Sequence, residues 1–112
     1  MDTFTALAEP TRRSILEMLA AKGQMSATDI YHKFKASPPA ISQHLKVLRE
    51  ANLVRVEKQA QKRIYYVNPE PIEELEKWVK QFAAGLEDRY RALDNVLETE
   101  KSKLKANRNE DK

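Results

Sequence analysis

A serine followed by two prolines, Ser37-Pro38-Pro39, is the feature that most restricts how this chain can fold. The Ser37 hydroxyl can accept one of the backbone N–H groups that the first turn of a helix leaves without a partner. Pro38 then occupies the first helical position, where its missing N–H costs nothing and its fixed φ suits the helix. Pro39 follows at another position where no N–H is needed. The sequence therefore predicts a helix that begins at Pro38.

This predicted helix has one apolar face and one polar face. Ile41, Leu45 and Leu48 recur at intervals of four and three residues, which places all three on the inward side. At about 100° per residue, the opposite side carries Pro39, Ser42, Gln43 and Lys46. A short helix that offers amide and cationic groups to solvent suits the major groove of DNA, where such groups meet base edges and phosphates.

Helical patterns precede this segment, and a strand pattern follows it. Ser26-Ala27-Thr28-Asp29 is typical of a capped helix start, so it predicts the first helix of a pair whose second helix begins at Pro38. Upstream, residues 4–9 and 10–21 favour two further helices, the second opened by a proline. Val54 and Val56 alternate with charged residues, and so do Tyr65 and Val67, which predicts a hairpin around residues 58–62. The fold class is therefore mainly α with a small β-hairpin.

A single long amphipathic helix is predicted from Glu70 to about Glu100. It would span about 45 Å, more than the core of a small domain can cover, so we expect a second copy to pack against it. The alternative is a helix that folds back on its own domain, broken at Ala84-Gly85. Residues 1–100 are expected to form one domain, and residues 101–112 a polar, frayed tail. The predicted dimer interface joins the first and last helices through Phe4, Leu7, Leu75, Trp78, Val79, Phe82, Leu86, Tyr90 and Leu93.

Charge is distributed unevenly along the chain, although the net charge is only +3. Residues 26–69 carry eight Lys or Arg against three acids, whereas residues 70–100 carry nine acids against four bases. This distribution favours one surface for a polyanion and another for a different partner. The chain has no cysteine, no apolar run near the roughly 20 residues of a membrane span, and no secretory pattern at its start. We therefore expect a cytoplasmic protein with no membrane partner.

Several motifs together resemble the winged helix-turn-helix repressors of the ArsR/SmtB family. The resemblance covers roughly residues 4–68, and it rests on Leu7-Ala8-Glu9-Pro10-Thr11-Arg12-Arg13, on residues 41–51 (ISQHLKVLREA), on Leu53-Val54 and on Ile64-Tyr65-Tyr66-Val67-Asn68. It implies a homodimer with a β-wing that binds an imperfect inverted repeat in double-stranded DNA and blocks transcription. It also implies two reading helices about 34 Å apart, one turn of DNA.

The chain departs from that family pattern in its metal sites and in its wing. Arsenic sensors of the family bind metalloid through cysteines in the first helix of the pair, where this chain reads Thr28-Asp29-Ile30-Tyr31-His32. Zinc sensors use histidines on the last helix, which has none here between residues 70 and 100. The chain therefore resembles most the metal-independent branch, with no metal site, no cofactor and no inducer that can be named. The wing tip, Gln59-Ala60-Gln61, has no glycine where relatives often have one.

The predicted DNA contacts lie in the helix pair and in the wing. They are Lys33, Ser37, Pro39, Ser42, Gln43, His44, Lys46, Arg49, Lys58, Gln61, Lys62 and Arg63. His44 lies about 60° from Ile41 around the helix, so it is as much a candidate for a packed, hydrogen-bonded histidine as for a DNA contact. Tyr65 is expected to pack, and one of the two arginines Arg12 and Arg13 is expected to pair with a carboxylate or with a DNA phosphate.

Two other classes of function compete with the repressor. The same fold could serve as a protein-interaction module, or a small ligand could bind between the two long helices of a dimer. An enzyme is the weakest alternative, because there is no Ser/His/Asp or Cys/His arrangement and no glycine-rich phosphate loop.

Overall fold

The computed structural model describes the backbone of residues 2–110 and the side chains of residues 2–104. This part of the chain contains five helices and three strands. In chain order they are α1 (Thr3–Ala8), α2 (Pro10–Lys22), β1 (Met25–Ser26), α3 (Ala27–His32), α4 (Pro38–Glu50), β2 (Val54–Gln59), β3 (Lys62–Val67) and α5 (Pro69–Glu110). The mainly helical fold with a small hairpin, predicted from the sequence, is confirmed.

Side-chain caps set where the short helices begin, as the sequence predicts. The Ser37 hydroxyl accepts the N–H of Ala40 at 3.4 Å, and α4 starts at Pro38. The Ser26 hydroxyl accepts the N–H of Asp29 at 3.1 Å at the start of α3. Gly23 ends α2 with a φ of 87°, a backbone conformation that residues with a side chain rarely adopt. The helix pair is therefore defined mainly by interactions within four residues.

The sheet contains a strand that the sequence did not reveal. Its order is β1-β3-β2, and all neighbours are antiparallel. The predicted hairpin is β2 and β3, with Val54 opposite Val67 at one end and Gln59 opposite Lys62 at the other. The third strand, β1, is only two residues long, too short for a period-two pattern to be recognised. It pairs with the middle of β3 and thereby ties the hairpin to the start of α3.

The hydrophobic core lies beneath α4 and is formed by residues between positions 6 and 65. Ile41 and Leu48 are fully buried and Leu45 is 1% exposed, which confirms the predicted inward face of the helix. These side chains belong to one apolar cluster, which also contains Ala6, Ile15, Leu16, Leu19, Met25, Ile30, Val47, Ala51, Leu53, Val54 and Tyr65. Because α4 is anchored on one face only, its other face is left to solvent.

The last helix is longer than the sequence predicts. It continues through Glu110, about ten residues beyond the expected end near Glu100, so residues 101–110 of the predicted frayed tail are helical. This segment contains no proline or glycine, and its Lys, Ala, Leu, Arg and Glu are good helix formers, so its polarity does not end the helix. Gly85 does not interrupt α5 either, so the predicted alternative of a break at Ala84-Gly85 is wrong. Residues 111–112 of that tail lie outside the described residues.

The chain divides into two compact units, residues 1–75 and residues 76–112. The first unit holds the helix pair, the sheet and the buried core. The second unit consists of α5 beyond its first two turns. Over the described residues, none of the helices has a stretch long and apolar enough to cross a bilayer.

Candidate nucleic-acid interface

The outer face of α4 is exposed at each position predicted to contact DNA bases. Ser42, Gln43 and Lys46 all lie in solvent, and Pro39 is exposed at the first turn of the helix. The neighbouring Ile41 and Leu45 are buried, so the helix cannot rotate to hide its polar face without exposing its apolar one. The arrangement presents a hydroxyl, an amide and an ammonium group side by side, which is the chemistry that reads base edges.

Further predicted contacts on α3 and α4 are exposed too. Arg49 is exposed in the last turn of α4, and Lys33 is exposed at the C-terminal cap of α3. Ser37 is exposed as well, although its hydroxyl already caps α4. Lys46 and Arg49 line a shallow depression of about 290 Å³ together with Glu50. The cations outnumber the carboxylate there, so the depression suits a phosphate better than a cation.

The hairpin places cations on both of its faces. Lys58 lies directly opposite Arg63 across the two strands, and Lys62 lies opposite Gln59 at the tip. Like charges in directly opposite positions destabilise a sheet. A phosphate backbone that neutralised Lys58 and Arg63 would remove this repulsion. The predicted wing contacts, including Gln61, are all exposed.

The tip of the wing turns without glycine. Only Ala60 and Gln61 separate β2 from β3, and Ala60 takes a φ of 55° in the left-handed region. An L-residue other than glycine loses roughly 1 kcal/mol in this conformation, which the strand pairing on both sides must offset. The chain thus closes the same kind of tight turn that relatives often close with glycine.

Tyr66 links three positions on one side of the hairpin. The Arg55 guanidinium lies 5.1 Å from the centre of the Tyr66 ring, and Arg55 is its partner in the strand register. The Gln59 side-chain amide donates to the Tyr66 hydroxyl at 3.1 Å. Sequence reasoning missed this cluster, although the register of the predicted hairpin would have placed Arg55 opposite Tyr66. The contacts stiffen the ribbon that carries the wing cations.

Tyr65, in contrast, packs into the core, as the sequence predicts. It is 4% exposed, and burial raises the pKa of its hydroxyl because the phenolate form is poorly solvated there. Its partner in the register is Met25 of β1, which is buried too. The aromatic ring therefore anchors the base of the wing and leaves DNA contact to the residues nearer the tip.

His44 does not point into solvent with its neighbours. Its Nδ1 lies 3.4 Å from Nη1 of Arg12, and its Nε2 lies 3.8 Å from Oε2 of Glu9. Both ring nitrogens thus face side chains from the corner between α1 and α2. Of the two alternatives left open by the sequence, this placement favours the packed, hydrogen-bonded histidine.

The paired arginines of the sequence motif bind the end of α1. Arg12 donates from Nε to the carbonyl of Ala6 at 2.6 Å and from Nη2 to the carbonyl of Thr5 at 3.1 Å. Arg13 donates to the carbonyls of Leu7 and Ala8. These carbonyls lie at the C-terminal end of α1, where helices lack internal donors. The predicted partners, a carboxylate or a DNA phosphate, are therefore replaced by backbone carbonyl groups.

Glu9 completes this corner by capping α2. Its Oε2 accepts the N–H of Arg12 at 3.1 Å, and Pro10 follows at the first helical position. Partial desolvation raises the pKa of the Glu9 carboxyl, but the hydrogen bond from Arg12, the electrostatic interaction with the His44 ring and bonds from Thr11 outweigh it, so the pKa is lowered. The carboxylate form is thus the one that the corner stabilises.

The predicted dimer residues fall into two groups by exposure. Leu7 and Leu75 are partly buried, and Leu7 packs against the core of its own unit. The others are exposed. Phe4 lies on α1, whereas the rest, among them Phe82 at 55%, lie on α5 in a series that continues to Val96, Leu97 and Leu104. Within α5, the rings of Trp78 and Phe82 stack with their centres 5.2 Å apart. We name the exposed residues Trp78, Val79, Phe82, Leu86, Tyr90 and Leu93 the apolar stripe.

Potential metal ligands do not cluster among the described side chains. Over residues 2–104, no group of three or more His, Asp or Glu side chains lies close enough to share an ion. Asp29 and His32, which lie three residues apart on α3, line an open cavity of about 400 Å³ with Lys22 and Lys33. Two ammonium groups beside that pair disfavour a cation.

The capped helix pair, the basic wing and the exposed polar face of α4 (Ser42, Gln43 and Lys46, called the reading face below) define a winged helix-turn-helix protein. Comparison of the chain with known proteins gives the same class. Residues 9–56 match the arsR family of bacterial regulatory proteins. The transcriptional repressor SdpR of Bacillus subtilis is 35% identical over 81 residues, 72% of this chain and 89% of that protein. An HTH-type transcriptional regulator of Methanocaldococcus jannaschii is 34% identical over 71% of this chain and 90% of that protein.

Solved structures give the same result. An ArsR-like transcriptional regulator from Rhodococcus sp. RHA1 shares the fold with a TM-score of 0.73 and 25% identity, over 83% of this chain and 87% of that one. The chain belongs to the ArsR family of helix-turn-helix transcriptional regulators. Its function is therefore that of a DNA-binding transcriptional regulator, and the repressor name of its relative agrees with the prediction from sequence.

Proposed function

We propose that the protein is a homodimeric repressor that acts in the cytoplasm and binds an inverted-repeat operator without a metal cofactor. In each copy α4 enters a major groove, and the wing follows the neighbouring phosphate backbone. The observation that carries this proposal is the exposed face of Ser42, Gln43 and Lys46 on a helix whose opposite face is buried. The proposed role is DNA recognition rather than catalysis.

The reading side chains divide by chemistry into base contacts and phosphate contacts. Gln43 can make two hydrogen bonds to adenine, and Lys46 can reach guanine or a phosphate. Lys33, Arg49 and the wing cations are exposed Lys and Arg side chains, so we assign them to phosphates, which position a protein without specifying sequence.

A second copy is the partner that best fits the apolar stripe. The stripe is a continuous row of large apolar side chains, whereas monomeric proteins rarely expose apolar patches of more than a few hundred Å². Helix-on-helix packing about a two-fold axis would cover it and would join two copies of α4 in one molecule. Two weak half-site contacts would then act as one strong interaction.

Binding to the DNA upstream of the protein's own gene tests the proposal. A labelled fragment should bind far more tightly than a scrambled fragment, and log affinity should fall steeply with log salt, with a slope near −0.9 for each phosphate contacted. The same titration with Zn(II) should give unchanged affinity. Equally weak binding at low and moderate salt would favour the protein-interaction module instead, and release of DNA by zinc would contradict the metal-independent assignment.

Gln43→Ala should change which operators are accepted. Loss of the amide removes two hydrogen bonds to one base, so we expect a cost of about 1–3 kcal/mol at that base pair. Affinities for a set of operators, each changed at one base pair, will show whether the preference is lost at a single position. Equal weakening on every operator would contradict a base-reading role for Gln43.

Lys62→Ala should weaken binding to all DNA sequences alike. A wing phosphate contact contributes charge but no sequence information, so the salt slope should become shallower by about one. Lys77→Ala, which removes an exposed lysine from α5, is the matched control and should leave both affinity and slope unchanged. If only one operator base became less preferred in the Lys62 variant, the wing assignment would be wrong.

A further inference from the structure

His44 connects the reading helix to the corner between the first two helices. Its side chain is 22% exposed, and its two ring nitrogens face Arg12 and Glu9, which are 32 and 35 positions away in sequence. These are the two charged groups that the structure places against the ring. The neighbour of His44 on the outer side is Gln43, the best candidate for a base contact.

The hydrogen-bonding capacity of the corner selects one form of the imidazole. Arginine carries donors only, so the contact between Arg12 Nη1 and His44 Nδ1 requires Nδ1 to be the acceptor. The ring proton then lies on Nε2, on the side of the Glu9 carboxylate. With this tautomer the ring presents an acceptor to Arg12 and an N–H to Glu9.

The Arg12 guanidinium joins two helices through its separate nitrogens. Its Nε and Nη2 hold the carbonyls of Ala6 and Thr5 at the end of α1, while Nη1 faces His44 on α4. The backbone N–H of Arg12 is held in turn by Glu9. A shift of α4 relative to this corner would break the histidine contact and leave one guanidinium nitrogen without its partner.

We propose that His44 is a positioning residue, which sets the orientation of α4 by linking it to the end of α1 through Arg12 and Glu9. This inference rests on the proposed DNA-binding function and deepens it, because it removes His44 from the set of DNA contacts. The reading residues Gln43 and Lys46 project from the same two turns that carry His44. The corner thereby controls how the reading face meets the groove.

Operator affinities of single and double variants distinguish a positioning residue from a DNA contact. His44→Ala should weaken operator binding about tenfold, as expected for loss of one hydrogen bond to a charged group. Arg12→Gln, which also loses its bonds to the carbonyls of Ala6 and Thr5, should weaken binding at least as much. Base preference and salt slope should stay as in the wild type. Because both changes break the same link, the double variant should bind nearly as well as Arg12→Gln alone. Additive losses, or a preference lost at one base pair in His44→Ala, would overturn the proposal.

Two amide replacements test which ring nitrogen matters. The Asn side-chain oxygen can occupy the place of Nδ1 and keep the acceptor for Arg12, whereas the longer Gln side chain reaches toward the place of Nε2 and Glu9. His44→Asn should therefore restore most of the lost affinity, and His44→Gln should not. Equal behaviour of the two variants would contradict the assigned link.

A measurement without DNA keeps the inference separate from the proposed function. Nitrogen-15 NMR of the wild type should show the proton of His44 on Nε2 and a hydrogen-bonded Nδ1, and Arg12→Gln should abolish the latter signature. The backbone amide signals of residues 39–46 should shift alike in Arg12→Gln and His44→Ala. If these signals behave as expected but the wild type has no operator preference, the repressor proposal fails while the link stands. A proton on Nδ1 would refute the link itself.

Discussion

Phe82→Asp is expected to convert the protein to monomers and to lower its operator affinity by about 100-fold or more. Phe82 is 55% exposed in the middle of the apolar stripe, and its ring stacks on Trp78. A carboxylate at this position would have to be buried without a partner if two copies packed together. Sedimentation in the ultracentrifuge gives the oligomeric state, and titration of an operator with two half-sites gives the affinity.

Ala84→Asp is the matched control for this variant. Ala84 is exposed on the opposite side of α5, and the substitution adds the same charge to the same turn of the helix. It should leave both the dimer and its operator affinity intact. If Phe82→Asp still sedimented as a dimer, or if Ala84→Asp dissociated equally, the apolar stripe would not be the interface.

Leu45→Ala should cost about 2–5 kcal/mol of the free energy of unfolding, the largest effect we expect on stability. Leu45 is 1% exposed and lies within the core cluster beneath α4. Its truncation removes apolar contacts and leaves a cavity, because the neighbouring side chains can collapse only in part. Urea denaturation followed by circular dichroism measures the change.

Lys46→Ala, at the next position along the chain, should weaken DNA binding but leave the free energy of unfolding almost unchanged. Lys46 is exposed, so its truncation should change the stability by less than about 0.5 kcal/mol. It should nevertheless weaken DNA binding, since Lys46 belongs to the reading face. A large loss of stability in this variant would show that the outward assignment of α4 is wrong.

Local features of the sequence were sufficient for the helix pair and for the hairpin. The caps at Ser26 and Ser37, the proline at the first position of α4 and the glycine that ends α2 act within four residues of the groups they satisfy. The alternation of apolar residues in β2 and β3 likewise depends on neighbours two positions apart. These signals are visible in one chain without knowledge of its packing.

Features that depend on distant neighbours were missed or left open. The two-residue β1 has no pattern of its own and exists because Tyr65 and Ile64 are available for pairing. The roles of Arg12 and Arg13 were equally hidden, because an arginine can serve a carboxylate, a phosphate or a carbonyl group. The sequence predicts an end of α5 near Glu100 because residues 101–110 are polar. Their helix propensity is nevertheless sufficient for the helix to continue through Glu110.

For this protein, the sequence alone determined which segments are helical or extended and which face of α4 is left polar. Both follow from caps and periodicity, which are properties of residues a few positions apart. Only the tertiary structure decided that His44 faces Glu9 and Arg12 rather than solvent, because that choice depends on how α4 packs beside the end of α1. The helix alone does not determine whether a side chain at the border between its apolar and polar faces points to solvent or to the protein. The neighbouring elements decide which groups that side chain contacts.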